Sequence, residues 1–325
     1  MSTAELVETG LSDAEHRAQL RRAVVASTVG TVIEAYDFLL YGLVAPLALG
    51  KLYFPASDPL VGTLQAFGIY AVGFLSRPVG AAIFGHYGDR IGRKATLITT
   101  LLLTGLSTFA VGFVPGYAAI GIWGAVILTL LRLIQGIGVG GEWGGAVLLS
   151  MEWARTNRSR GLVASWPQWG GPFGLFLANL AVLAFSALSG DQFLAWGWRV
   201  PFWLSIVMVG IGLYIRLGIL ETPVFTRLME QNRIERAPVI EVIKRQPKEI
   251  ILTALLRTGQ QGPFYIFTAF VFSYGTTVSH SSRNLLLTAL LGPAGELHPR
   301  AREAGFFGAQ DRPRFDKFSR AISAN

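Results

Sequence analysis

The chain has 325 residues, of which 51% are hydrophobic and only 15% charged, with a mean hydropathy of +0.46. A soluble domain carries about 25% charged residues, so this composition leaves too little polar surface to coat a soluble globule of this size. The absence of cysteine excludes disulfides and thiolate metal sites, and the net charge of +8 is spread over alternate loops, which argues for a lipid bilayer and against nucleic acid.

Residues 1–22 are polar and carry acids, and the first apolar run is longer than a signal core, so no cleavable leader is expected. Seven runs are then long enough to cross a hydrocarbon core, which takes about 20 helical residues. They lie near residues 23–49, 61–84, 95–113, 118–149, 161–188, 201–220 and 250–278. Arg17, Arg21 and Arg22 precede the first run. Arg90, Arg93 and Lys94 follow the second, Arg155, Arg158 and Arg160 the fourth, and a dense basic set the sixth. The opposite loops hold only Lys51 and Arg199, plus Arg283 after the seventh run. Positive loops stay in the cytoplasm, so a multi-pass cell-membrane protein with a cytoplasmic N-terminus is expected.

At 1.5 Å of rise per residue, Glu34 and Asp37 lie roughly 17–21 Å along the first run, and Arg132 about 21 Å into the fourth. Both depths are near the middle of a core about 30 Å thick. A lone charge there costs roughly 2.5–3.5 kcal/mol, so it faces a cavity or a partner. Helical spacing puts Glu34, Asp37 and Tyr41 on one face of the first run and Arg132, Gln135 and Glu142 on one face of the fourth. In the seventh run Arg257, Gln261 and Tyr265 share a face beside Gly259, Gly262 and Pro263. The candidate substrate and proton residues are Glu34, Asp37, Tyr41, Arg132, Gln135, Glu142, Arg257 and Gln261. A structural ion pair holding the bundle together is the alternative. Arg77, before Pro78, lies nearer the cytoplasmic side, where an arginine can snorkel or serve function.

Gly136, Gly138, Gly140, Gly141, Gly144 and Gly145 sit inside an apolar helix, not after a strand, so close helix packing explains them better than nucleotide binding. Gly170, Gly171 and Gly174 around Pro172 predict a kink. His16, His86, His280 and His298 have no metal-ligand spacing, and no nucleophile–base arrangement is present. An enzyme, a cofactor and a metal are therefore not expected.

Five motifs carry a family resemblance. Gly85-His86-Tyr87-Gly88-Asp89-Arg90-Ile91-Gly92-Arg93-Lys94 resembles the signature loop of the major facilitator superfamily, and Arg132-Leu133-Ile134-Gln135-Gly136-Ile137-Gly138 its fourth-helix motif. Glu34-Ala35-Tyr36-Asp37-Phe38, Gly140-Gly141-Glu142-Trp143-Gly144-Gly145 and Trp196-Gly197-Trp198-Arg199-Val200-Pro201-Phe202 resemble the metabolite:proton symporters within it. The resemblance implies an all-α membrane protein with the major facilitator fold, two six-helix halves and a central cavity. It implies protons and a small organic acid or a betaine/proline-like solute as partners. It also implies gating by Asp89, Arg90, Gly92 and Arg93.

The expected domains are a cytoplasmic segment 1–22, a six-helix bundle 23–220, a cytoplasmic linker 221–249 and the start of a second bundle at 250–291. Residues 292–325 form a polar tail that departs from the family pattern and looks like a truncation or an out-of-frame reading. The leading function is a proton-coupled symporter working by alternating access, inactive if truncated. The competing one is a non-transporting remnant, receptor-like or scaffold.

Overall fold

A computed structural model describes residues 12–154, 157–222, 225–226, 244–266, 270 and 273–275 of the chain. The expected polar tail, most of the linker and the end of the seventh run lie outside the described residues.

The first span is α1 (Asp13–Val44), a π-helical turn at Ala45–Leu49 and the short α2 (Gly50–Tyr53). It begins at Asp13, well before the expected residue 23. Ser12 and Glu15 form a reciprocal capping box, with the Glu15 carboxylate accepting from the Ser12 amide at 2.9 Å. His16 is buried at this end, its Nε2 lying 3.0 Å from the Trp153 carbonyl. Pro46 stands in the π-helical turn, where it lacks the amide that a regular ladder needs.

The second span is α3 (Pro59–Ile91), started by Pro59 and by Asp58, which accepts from the Leu60 amide at 2.9 Å. It ends at Gly92, whose φ of 108° admits glycine far more readily than any other residue, and α4 (Arg93–Val111) starts at once. After the short α5 (Tyr117–Ile120) comes α6 (Trp123–Glu152). The fifth span is α7 (Asn157–Ser165), a 3₁₀ turn at Trp166–Trp169 and α8 (Gly170–Ser189). The kink expected at Pro172 is corrected: the break lies at Pro167, and Pro172 sits in the first turn of α8, where a missing amide costs nothing. The sixth span joins α9 (Val200–Trp203) to α10 (Ser205–Leu217). The seventh begins with α11 (Pro247–Tyr265), which runs helical through Pro263.

Six of these spans are long and apolar enough to cross a bilayer among the described residues. The protein is therefore a multi-pass helical membrane protein. Lipid is as apolar as leucine, so helices associate through close packing. Here the tightest seam joins α3 to α6. A Cβ on Gly80 would meet the Ile137 carbonyl, one on Gly136 the Gly73 carbonyl, and one on Gly140 the Arg77 carbonyl. The two helices touch backbone to backbone. On the other side α6 packs on α4, and α1 lies along α8.

Candidate functional site

Between α1, α3, α6, the 3₁₀ turn and α11 lies a cavity of about 840 Å³. Small-solute sites span about 300–1,000 Å³. Its charged lining is Glu34 from α1, Arg77 from α3 and Arg257 from α11, and its glutamines are Gln168 and Gln261. Glu34 Oε2 is buried with no hydrogen-bond partner. The Arg77 guanidinium lies 4.0 Å from the Phe38 ring centre and 4.8 Å from that of Phe74, and its Nε has no hydrogen-bond partner. Arg257 lies 4.7 Å from the Trp143 ring centre. Arg77 thus turns inward onto rings that line the cavity, correcting the snorkelling alternative.

Behind the cavity wall is a sealed polar core. Asp37, Tyr41, Arg132, Gln135 and Glu142 are each no more than 2% exposed, and none lines this cavity. Sequence depth put Asp37 and Arg132 at mid-membrane but could not tell which side of a helix wall these residues face. Arg132 lies 4.0 Å from the Tyr41 ring centre and 4.9 Å from those of Phe38 and Tyr70. It donates to the Phe38 carbonyl at 3.1 Å and to the Gln135 side chain. Gln135 Nε2 in turn donates to the Asp37 carbonyl at 3.2 Å and to Thr108 Oγ1 at 2.7 Å. Asp37 Oδ1 accepts from Ser205 Oγ of α10 at 2.5 Å. Asp37 and Arg132 therefore share a network without forming an ion pair. A second sealed site holds Glu142, which pairs with Arg216 of α10 and accepts from Thr100 Oγ1 at 2.8 Å. Arg216 also donates to the Leu97 carbonyl, and a Cβ on Gly30 would strike this pair.

At the end of the bundle where α3 gives way to α4, the signature loop is knit to other helices. Arg93 bonds Asp89 at 2.6 Å and approaches Glu152 of α6 at 3.5 Å. Glu221, just past α10, accepts the backbone amides of Arg93 at 3.1 Å and Lys94 at 3.2 Å, so a carboxylate covers the positive end of α4. A Cβ on Gly92 would collide with that carboxylate. Thr222 Oγ1 donates to Glu152 at 2.6 Å. Arg90 stands apart, its guanidinium 3.3 Å from His86 Nε2 on the exposed side.

Comparison with known proteins accords with this architecture. Residues 22–251 match the family described as "Sugar (and other) transporter". The chain belongs to this transporter family. The shikimate transporter of Escherichia coli (strain K12) is 43% identical over 270 residues, 82% of this chain and 61% of that protein. The inner membrane metabolite transport protein YhjE of the same strain is 42% identical over 259 residues, 79% of this chain and 59% of that protein. The proline/betaine transporter of Salmonella typhimurium is 40% identical over 214 residues, 66% of this chain and 42% of that protein. A crystal structure of a D-xylose-proton symporter superposes with a TM-score of 0.63 at 17% identity, over 84% of this chain and 65% of that one. The fold is thus the major facilitator fold. This member of the family spans about six-tenths of the length of YhjE and the shikimate transporter.

Four parts of the site escaped the sequence. Arg216 lies near the end of its span, where nothing local marks it as the partner of a distant acid. Glu152 and Glu221 look like loop acids until the fold places them beside Arg93. Ser205 is an ordinary hydroxyl in an apolar run. Gln168 reaches the cavity because of the 3₁₀ break; the adjacent Pro167 was the available signal.

Proposed function

We propose that this chain carries the solute-binding half of a proton-coupled secondary transporter for a small organic acid or zwitterion, working by alternating access. The cavity is the observation that carries it: a half-buried carboxylate, two guanidinium groups and two amides converge on a solute-sized space. The named activities of the shikimate and proline/betaine relatives support the solute classes, and the fold of a proton symporter supports the coupling.

Glu34 is the proton site facing the solute. The charges acting on it are Arg77 and Arg257 across the cavity and the Glu142–Arg216 pair behind α1. A protonated Glu34 does not repel an incoming carboxylate, so proton and solute favour each other. Asp37, Tyr41, Arg132 and Gln135 respond behind the wall, linked to the cavity through Phe38, which lies near both Arg77 and Arg132. Asp89, Gly92 and Arg93, with Glu152 and Glu221, latch one end of the bundle, and Arg90 is left for a contact outside it. The N-terminus and the 221–249 linker are cytoplasmic.

Binding tests the reading directly. Shikimate, proline, glycine betaine and xylose are titrated into the purified protein in nanodiscs, with tryptophan fluorescence as readout because Trp143 lines the cavity. We expect an acid or zwitterion to bind more tightly at pH 6 than at pH 8, with Glu34→Gln removing the difference. Binding of none of them, or pH-independent binding, overturns it. For orientation, Ser12→Cys and Thr226→Cys in this cysteine-free chain should resist an impermeant thiol reagent in intact cells, whereas Ser57→Cys should react. The reverse pattern inverts the topology.

A further inference from the structure

We infer that Arg77 is the specificity-determining residue of the cavity, selecting a carboxylate anion and rejecting a quaternary-ammonium zwitterion. This rests on the transporter reading and narrows its solute class.

Charge balance comes first. Among the described residues the lining holds two guanidinium groups and one carboxylate. Arg77 has no ion pair or hydrogen bond to any described side chain. Its hold on the protein is through ring faces, which leaves its planar fork of donors uncommitted. A guanidinium so placed matches a carboxylate in two parallel hydrogen bonds.

The second argument concerns the aromatic walls. A quaternary ammonium is recognised by stacking on open aromatic faces. Here Arg77 already stands within 4.8 Å of the Phe38 and Phe74 ring centres, and Arg257 within 4.7 Å of that of Trp143. A trimethylammonium group would have to displace a resident cation or sit beside it, and both are unfavourable. An anion meets no such conflict. Gln168 and Gln261 then provide amide groups for hydroxyls on the rest of the molecule. The ligand class is a small hydroxylated carboxylate.

The position of Arg77 follows from its helix. It sits on α3 one residue before Pro78, which supplies no amide to the helix ladder, and one residue after Ser76. Ser76 and Gly73 pack against Gly136 of α6. The helix face bearing Arg77 is thus fixed by backbone packing and cannot rotate away.

The test compares shikimate, its methyl ester and glycine betaine on the full chain in nanodiscs at pH 7, read by tryptophan fluorescence and calorimetry. The ester keeps the ring and hydroxyls and loses only the charge. We expect the acid to bind about 10- to 100-fold more tightly than the ester, the worth of one charge-assisted fork. Arg77→Gln should erase that difference, Arg77→Lys should restore part of it, and betaine should not compete. Equal binding of acid and ester, or displacement of the acid by betaine, overturns the role of Arg77 while leaving a transporter. Failure of every solute to bind overturns both. The acid–ester comparison needs no substitution, so it decides the matter even if Arg77→Gln fails to fold.

Discussion

Two polar regions share the same helices and behave oppositely. Glu34 and Asp37 stand three residues apart on α1, and Glu142 and Trp143 are neighbours on α6. Glu34 and Trp143 face the cavity, while Asp37 and Glu142 are sealed behind it. In the sealed core the charges meet groups of the protein itself, Glu142 with Arg216, Asp37 with Ser205, Arg132 with carbonyl, amide and ring faces, although Asp37 Oδ2 and Arg132 Nε carry no hydrogen-bond partner. In the cavity, Glu34 and Arg77 likewise retain atoms without hydrogen-bond partners, but these two side chains line open space. Depth in the membrane marks a charge as costly, but its helix face decides whether structure or solute meets that cost.

The largest effect should come from stranding a sealed charge. Arg216→Gln leaves the Glu142 carboxylate buried without its ion partner, and breaking one side of a buried pair costs about 3–5 kcal/mol. We expect a steep loss of thermal stability in detergent by circular dichroism, with the Glu142→Gln/Arg216→Gln double variant recovering most of it. No recovery would show that Arg216 acts mainly through the Leu97 carbonyl.

Gly136→Ala should rank next, since its methyl must force α3 and α6 apart; overpacking of this kind costs about 1–3 kcal/mol. A melting temperature unchanged from the parent would mean that the seam can open. Ser205→Ala removes the donor to Asp37 and should cost about 1–3 kcal/mol, the penalty for leaving a buried acceptor without its partner. Unfolding titrations would check it, and a neutral result would remove Ser205 from the core network.

The smallest stability effect belongs to the cavity. Glu34→Gln should stay within about 0.5 kcal/mol of the parent, although it abolishes the pH dependence of solute binding. A destabilisation as large as that of Arg216→Gln would erase the distinction between the two regions.

The sequence made the bundle legible because spans announce themselves by length and hydropathy. Six of the seven expected runs correspond to long apolar helices, and the seventh begins at Pro247, near its expected start. The extension of α1 was less visible because charged turns such as Asp13–Arg22 read as loop unless the Ser12–Glu15 capping box is noticed. Of the candidates picked by residue type, Glu34, Arg257 and Gln261 line the cavity. Pairing was hidden because Glu142 and Arg216 lie 74 positions apart, and nothing local in either segment names its partner. Arg77 stayed open between snorkelling and function for a related reason: only the fold brings Phe38 from another helix beneath it.

The seam between α3 and α6 has a consequence for how sequences in this family can diverge. Where two main chains touch at Gly80, Gly136 and Gly140, no neighbouring side chain can shrink to admit a methyl group. Compensating substitutions are thus closed off at those positions, and drift there should be arrested. The walls at Gln168, Trp143 and Gln261 are side chains facing open space, where, on the transporter reading, one replacement should change the solute without disturbing the frame. New preferences should therefore arise by exchanging wall residues around an immobile spine, with homologues differing in diet before they differ in helix contacts.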